Sequence, residues 1–163
     1  MTYLSWSDDL NIGIEVIDRQ HRRIVDYINE LHDAISIYGA SEAQRRSAAV
    51  LNDAIDYTES HFAFEEAMLE EVDYEFLHPH KKVHEAFVHK MQKYKERIGR
   101  GENIAAELHD TLKLWLVKHI KGEDRAYREW FSQTGKNDGI DLEKFQQRLK
   151  SEKKSWFARL FPG

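Results

Sequence analysis

Apolar residues recur at intervals of three and four positions along four long stretches of this chain. That spacing places them on one face of an α-helix, with the polar residues between them facing solvent. In the first stretch the apolar face contains Ile24, Ile28, Leu31 and Ile35. The predicted helices span about residues 18–38, 42–72, 79–97 and 103–131. Long amphipathic helices with short connections predict an all-α protein, an antiparallel up-down-up-down four-helix bundle.

The residues near the predicted helix ends fit this interpretation. Asp18 is placed to cap the first helix and Gly39 to end it. Ser41 followed by Gln44 resembles a capping box for the second helix. Pro79 is a residue that the first turn of the third helix tolerates.

The segments before and after these helices have a different pattern. Residues 1–17 mix isolated apolar residues with glycine and short polar residues, and we interpret them as an extended arm laid on the bundle. Phe145 and Leu149 have helical spacing and predict a short helix near the C-terminus. The chain therefore divides into a bundle, residues 1–131, and a C-terminal extension, residues 132–163.

The end of the extension combines lysine and arginine with aromatic and apolar residues at helical spacing, over residues 153–161. Such a segment is typical of a docking patch for a partner protein or a membrane surface. The same pattern is typical of a helix packed on the bundle or of a frayed terminus, and we favour this second interpretation.

Seven side chains with the chemistry of metal ligands interrupt the apolar faces of the four predicted helices. They are His21, His61, Glu65, His80, His84, His119 and Asp124. Two pairs stand four residues apart, so both members lie on one face of a helix, one turn apart. In an up-down-up-down bundle all seven fall towards the same end. Because buried histidine and carboxylate are costly unless something binds them, we predict a metal site there.

The number and type of these ligands favour two iron ions. Five imidazoles and two carboxylates exceed the about four ligands of a tetrahedral zinc ion. They suit two octahedral metal ions that share both carboxylates as bridges, together with a solvent-derived oxo or hydroxo group, and one coordination position is left open. Imidazole and carboxylate ligands with an open position are typical of redox-active iron. An open position in an apolar bundle can bind a small diatomic molecule.

The spacing between His119 and Asp124 requires a local distortion of the fourth helix. A separation of five residues places the two side chains about 140° apart on a regular α-helix, so both cannot face the core. A widened turn of the π type, common near functional sites, would bring them together. Gly122 lies between them, and we expect it to ease such a turn.

Composition excludes several other functions. The chain has no cysteine, which excludes disulfides, thiolate catalysis and iron–sulfur clusters. A net charge of -5, without a basic stripe before residue 144, argues against a nucleic-acid partner. The chain shows no apolar run of about 18 residues and no secretion signal at its start, so we expect a cytoplasmic protein.

The combined motifs resemble those of bacterial hemerythrins over about residues 3–131. The matching strings are Ile17-Asp18-x-Gln20-His21, His61-Phe62-x-x-Glu65-Glu66, His80-x-x-x-His84-Glu85-x-Phe87 and Trp115-Leu116-x-x-His119-Ile120-x-x-x-Asp124-x-x-Tyr127. The resemblance implies a non-haem di-iron centre that binds dioxygen reversibly. It also implies that the coordinatively full iron is held by His80, His84 and His119. The iron with the open position would be held by His21 and His61, and the bridges would be Glu65 and Asp124.

An apolar pocket wall would protect bound oxygen from protonation and loss. We expect Ile24, Trp115 and Leu116 to form this wall, although Trp115 is equally suited to packing alone.

Other residues of similar chemistry are given no part in the site. We predict that His32, His89 and His109 lie on solvated faces and that His78 lies in a loop. Glu66 is predicted to point away from the apolar face of its helix, without a role.

Three functions fit such a centre. The first is dioxygen storage, or delivery to oxygen-requiring enzymes, by a protein that is not an enzyme, and the histidine-rich ligand set favours it. The second is a di-iron oxidase or peroxidase, including one that acts on nitric oxide. Ferritin-like oxidases use Glu-x-x-His on each of two helices, and only Glu75-x-x-His78 has that pattern here, which disfavours this class. The third is an oxygen or redox sensor that another protein reads through the extension.

Overall fold

The computed structural model of the chain describes residues 3–136 and 141–162. Four long helical segments form a bundle, and two short helices follow it. The bounds are Glu15–Ile37 (α1), Ala40–Glu71 (α2), Leu77–Gly99 (α3), Ala105–His119 (α4), Arg125–Thr134 (α5), Leu142–Ser151 (α6) and Phe157–Leu160 (α7). A π-helical turn, Ile120–Asp124, joins α4 to α5, so that these two continue as one long helix.

The fold is the predicted all-α bundle. Tyr38 and Gly39 alone separate α1 from α2, and connections of that length leave consecutive helices side by side and antiparallel. α1 packs against α2 and α4, and α2 packs against α3. The predicted core residues Ile24, Ile28 and Leu31 are buried between these helices.

The start of α1 differs from the prediction. The helix begins at Glu15, and its N-cap residue is Ile14. The Asp18 carboxylate instead accepts hydrogen bonds from the backbone amides of Ile12 (2.8 Å) and Gly13 (3.1 Å). Gly13 has a φ of 87°, in the left-handed region that favours glycine. The buried Asp18 therefore fastens the turn between the arm and α1 and does not cap the helix.

The starts of α2 and α3 match the predictions unequally. Gly39, expected to end α1, is the N-cap residue of α2, and no side chain caps that helix. The predicted capping box between Ser41 and Gln44 is therefore wrong. Gln44 donates a hydrogen bond to the carbonyl of Gly101 in the α3–α4 connection (2.9 Å). Pro79 lies in the first turn of α3, as predicted.

The N-terminal arm is extended and lies on the bundle, as predicted. Leu10 and Ile12 are buried there. The backbone amide of Leu4 donates to the side-chain oxygen of Asn29 on α1, and the Asn29 amide donates to the carbonyl of Leu4, each over 2.8 Å. A short 3-10 turn, Asp8–Leu10, interrupts the extended backbone.

The C-terminal extension contains a helix, α6, where one was predicted, and the short α7 follows it. Phe145 and Leu149 of α6 are buried, and α7 packs against α2. The apolar residues of the extension therefore pack on the bundle, as in the packed helix that the sequence favours. In the ranges that the structure describes, no helix is both long enough and apolar enough to cross a membrane.

Candidate metal centre

The seven predicted ligands lie together inside the bundle, and all are buried. Their ligand atoms form two groups, within each of which the atoms lie within 4.8 Å of one another. The three-histidine group is Glu65, His80, His84 and His119, and the two-histidine group is His21, His61, Glu65 and Asp124. Glu65 belongs to both, so the two groups form one continuous site.

Regular helix geometry positions most of these side chains. His61 and Glu65 lie one turn apart on α2 and face the same side of the helix. His80 and His84 have the same relation on α3. α1 contributes His21. The ligand pairs with a spacing of four therefore meet the partners on the other helices without distortion.

Asp124 reaches the site because α4 runs into a π-helical turn, as predicted. The wider turn brings Asp124 Oδ1 within 3.1 Å of His119 Nε2. The expected contribution of Gly122 stays a prediction: its φ is not in the left-handed region, and an added Cβ would meet no atom of the described residues within 4 Å. The backbone conformation at Gly122 therefore does not require glycine.

Both carboxylates lie between the two groups. Oε1 of Glu65 lies 2.5 Å from Nε2 of His80, whereas Oε2 lies 3.5 Å from Nε2 of His61. Oδ1 of Asp124 lies 3.6 Å from Nε2 of His80, whereas Oδ2 lies 2.9 Å from Nε2 of His21. Each carboxylate thus presents one oxygen to the three-histidine group and the other to the two-histidine group.

Several of these ligand atoms are buried without a hydrogen-bond partner in the part of the chain that the structure describes. They include Nε2 of His21 and of His61 and both carboxylate oxygens of Asp124. Nε2 of His21 approaches Asp124 without hydrogen-bond geometry, and the Nε2 atoms of His84 and His119 lie 3.2 Å apart. An unpaired buried polar group costs about 1–3 kcal/mol. Cations between these lone pairs would satisfy them together, so the residues fit bound metal ions.

A second set of side chains contacts the outer nitrogens of the ligands. Nδ1 of His61 donates to Oε1 of Gln20 (2.7 Å), and Nδ1 of His84 donates to Oε1 of Glu66 (2.9 Å). These bonds hold the proton on Nδ1 and leave Nε2 free to bind a metal ion. Glu66 lies off the apolar face of α2, as predicted, but the prediction that it has no role is wrong, because its carboxylate accepts this hydrogen bond from His84 on α3.

Two further residues belong to this second set: Glu123 lies in the π-helical turn, and Tyr127 lies in α5 directly after it. The Tyr127 hydroxyl donates to Oε2 of Glu65 (3.1 Å), and Tyr127 is fully buried. Oε2 of Glu123 lies 3.4 Å from Nδ1 of His119. Sequence reasoning missed both roles. The signal for Glu123 was its position four residues after His119, the same spacing as in the ligand pairs.

Electrostatic interactions keep both carboxylates ionised. Burial would raise the pKa of Glu65, but the hydrogen bond and charge of His80 outweigh it and hold that pKa well below its usual value. Burial and the charge of Glu65 would raise the pKa of Asp124. The charge and hydrogen bond of His119 oppose them, and the pKa of Asp124 lies below its usual value. Burial lowers the pKa of His61 to about 3. Burial acts in the same direction on His119, but the charge of Asp124 outweighs it and raises this pKa to about 10.

Aromatic rings pack directly on the ligands. Phe62 stacks on His84, with ring centroids 3.8 Å apart and planes 7° apart. Trp115, a predicted wall residue, stacks on His119 at 4.6 Å and 14°. The other two predicted wall residues are buried in the surrounding apolar core, and their place in a pocket wall stays a prediction: Ile24 and Leu116.

The remaining histidines match the predictions unequally. His89 is exposed, as predicted. The His32 side chain is 21% exposed, so it is only partly solvated. His109 is fully buried, so the prediction of a solvated face is wrong: its ring faces α1, with its centroid 5.8 Å from that of His32. His78 is exposed but belongs to α3, so the predicted loop is wrong as well.

Comparison with known proteins assigns the family. A family model described as the Hemerythrin HHE cation binding domain matches residues 12–131. The chain belongs to the hemerythrin family. The hemerythrin domain contains all seven residues of the two ligand groups, whereas α6 and α7 lie beyond it.

Similar hemerythrins come from several organisms. Bacteriohemerythrin of Stenotrophomonas maltophilia is 47% identical over 130 residues, which cover 79% of this chain and 82% of that protein. Bacteriohemerythrin of Pseudomonas aeruginosa is 45% identical over 127 residues, 78% and 80% of the two chains. A solved crystal structure of a leucine-to-phenylalanine mutant has a TM-score of 0.70 at 25% identity, and the similarity covers 79% of this chain and 97% of that one. The structural similarity supports the helical bundle fold of this chain.

Proposed function

We propose that this protein binds dioxygen reversibly at a pair of non-haem iron ions, for storage or for delivery to oxygen-requiring enzymes. One observation carries the proposal: Glu65 and Asp124 each present one oxygen to the three-histidine group and the other to the two-histidine group. Two metal ions that share both carboxylates explain this arrangement, whereas a single ion does not. The names of the bacteriohemerythrin relatives support the same function.

The two groups offer unequal numbers of ligands. The three-histidine group offers three imidazoles to one ion, and the two-histidine group offers only His21 and His61 to the other. The position for an external ligand would therefore lie beside His21 and His61. When bound, the iron pair would supply the two electrons that dioxygen takes up on binding and returns on release.

The second set of side chains would hold the site in one protonation state. Gln20 and Glu66 each keep a proton on the outer nitrogen of a ligand imidazole. Tyr127 stays protonated, because burial and the charges of Glu65 and Asp124 raise its pKa well above its usual value. Its hydroxyl therefore remains a hydrogen-bond donor to Glu65 at all ordinary pH values.

The aromatic shell would keep water and protons away from the site. Phe87 stacks on Trp115 with ring centroids 3.7 Å apart, and Trp115 in turn covers His119. A dry, apolar environment of this kind suppresses side reactions of a reactive bound molecule. Reversible binding needs this protection more than catalysis does, since the bound oxygen must leave unchanged.

The ligand set favours a carrier over an oxidase. Five of the seven ligands are histidines, whereas the ferritin-like oxidases use glutamate-rich ligand sets with a Glu-x-x-His motif on each of two helices. The one such motif here ends at His78, which is exposed on α3 and outside both groups. We therefore propose a protein that is not an enzyme.

Oxygen cycling tests the proposal. The protein is loaded with ferrous iron under anaerobic conditions, exposed to air, and deoxygenated again. We expect visible absorption bands that form with oxygen and vanish on its removal over repeated cycles. Rapid and irreversible conversion to the ferric protein, with release of peroxide, would contradict the proposal and favour an oxidase or a sensor.

A pair of histidine variants tests the site assignment in the same assay. His61→Ala removes a buried imidazole of the two-histidine group and is expected to abolish the bands. His89→Ala removes an exposed imidazole from α3 and is expected to leave them unchanged. Equal behaviour of the two variants would refute the assignment.

A further inference from the structure

A stripe along α2 lies beside the metal ligands and is covered by the C-terminal extension. Ser60 and Phe64 come directly before His61 and Glu65, respectively. Glu71 lies seven residues after Phe64 and continues the same stripe, since residues at intervals of four and seven share one face of an α-helix. We call Ser60, Phe64 and Glu71 the α2 stripe.

The centre of the α2 stripe is a buried aromatic cluster. Phe64 is fully buried. Its ring packs against that of Phe145 on α6, with centroids 5.6 Å apart, and against that of Phe161 after α7, with centroids 5.7 Å apart. Both rings belong to the extension, so the extension contacts α2 at two points, from α6 and from the residue that follows α7.

The two ends of the α2 stripe have polar partners in the extension. Arg159 donates a hydrogen bond to the hydroxyl of Ser60 (3.3 Å). Arg148 donates two hydrogen bonds to the carboxylate of Glu71, at 2.7 and 3.1 Å. These contacts fix where the extension sits along α2.

We propose that the C-terminal extension positions the metal centre by holding α2. Neighbouring residues of a rigid helix move together, so a rotation or shift at Phe64 displaces Glu65 and His61 as well. Glu65 belongs to both ligand groups, so this displacement affects both metal ions. Phe145 and Phe161 are therefore positioning residues. The inference rests on the proposed metal-binding function, and it concerns a segment outside the matched hemerythrin domain.

Iron release from the full chain tests this role. The protein is loaded with ferrous iron under anaerobic conditions, and transfer of iron to a ferrous chelator is followed by absorbance. Mutation of groups that support metal ligands typically lowers metal affinity 10–100-fold. We therefore expect Phe161→Ala to release iron about 10 times faster than the wild type. Phe161→Leu restores an apolar contact with Phe64 and is expected to recover most of the retention.

The matched control is Ile35→Ala near the end of α1, away from the α2 stripe, because Ile35 and Phe161 are both apolar side chains partly buried against the core. The free energy of unfolding is measured for both metal-free variants. If Phe161→Ala releases iron no faster than Ile35→Ala at comparable stability, the proposed role is wrong.

Hydrogen exchange of the metal-free protein gives a readout that does not involve iron. We expect faster exchange of the α2 amides around Ser60 and Phe64 in Phe161→Ala, with α3 unchanged. Uniformly faster exchange over the whole bundle would show only a loss of stability and would overturn the proposal. Neither measurement uses oxygen. A wild-type protein that retains iron but fails to bind oxygen reversibly would contradict the proposed function and leave the positioning role intact.

Discussion

Glu66 is expected to control how tightly His84 holds its metal ion. A carboxylate that accepts the Nδ1 proton of a ligand imidazole fixes the ring and makes Nε2 more basic. We expect Glu66→Ala to weaken metal binding by about tenfold, and Glu66→Gln, which keeps an acceptor oxygen, to weaken it less. Competition titration with a chelator measures the effect. Glu85→Ala is the control, because Glu85 is exposed and pairs with Lys82; equal affinities of Glu66→Ala and Glu85→Ala would remove Glu66 from the site.

His109 predicts a pH dependence of stability that is independent of the metal centre. Burial lowers its pKa, and the hydrogen bond with Asp110 only partly opposes this. As the pH falls through about 6.5, the unfolded chain therefore takes up a proton before the folded protein does, and the folded state loses stability. Above that pH the contribution is fully present.

Chemical denaturation at two pH values tests this sign. Between about pH 7.5 and pH 5.5 we expect His109→Gln to lose less free energy of unfolding than the wild type. His89→Gln, which removes an exposed imidazole, is expected to follow the wild type. Parallel curves for His109→Gln and the wild type would mean that His109 titrates like a solvated histidine.

The sequence predicts individual residues well only where their spacing follows one helix face. The ligand residues interrupt an apolar stripe, and this makes them visible. Leu108 and His109 are adjacent in the sequence and both are buried. A single narrow apolar stripe includes only one of two adjacent residues, so it did not predict that His109 is buried. The prediction for Glu66 is wrong because Glu66 lies off the apolar stripe and binds a residue of another helix.

At the scale of elements, the π-helical turn should tolerate a side chain at its glycine. Within the described ranges, an added Cβ at Gly122 meets no atom within 4 Å. We therefore expect Gly122→Ala to keep its iron content and to raise the free energy of unfolding by up to about 1 kcal/mol, because alanine favours helices. Iron analysis and chemical denaturation measure both effects. Loss of iron from Gly122→Ala would show that the turn does need its glycine.

Gly13→Ala is the matched comparison. Gly13 has a φ of 87°, and an added Cβ would lie 3.2 Å from Nε of Arg128. An L-residue in this conformation costs about 1–2 kcal/mol, so we expect this variant to lower the free energy of unfolding by that amount.

The sequence predicts the existence of the helices but not all of their ends. Apolar periodicity extends over many residues and survives local exceptions, whereas an end depends on a few hydrogen bonds. Asp18 and Gln44 both have positions typical of caps, yet each bonds to a different segment: the arm in one case and the α3–α4 connection in the other. Rules that consider only neighbours along the chain cannot include such partners. The π-helical turn is the exception, because the ligand spacing alone demands it.

At the scale of the whole molecule, the extension shows the limit of pattern analysis. Basic and aromatic residues at helical spacing fit both a docking patch and a packed helix, and the sequence favours the second without identifying the surface that is covered. The decisive partners, among them Phe64 and Glu71 on α2, are distant in the sequence. Only the tertiary structure shows that the aromatic residues of the extension cover the helix that carries His61 and Glu65.

Metal removal should destabilise the bundle as a whole, because every long helical segment contributes at least one ligand. Metal ions that bind only the folded state add RT ln(1 + [M]/Kd), about 2.7 kcal/mol at a free concentration one hundred times Kd. The extended apolar core remains without metal, so we expect the metal-free protein to stay helical but to unfold at a lower temperature. Calorimetry with and without ferrous iron measures the shift. His61→Ala should lose most of it and His89→Ala should keep it. The same unfolding temperature with and without iron in the wild type would contradict a metal centre that joins the four helical segments, because ligands from all of them could not then be held by one cluster.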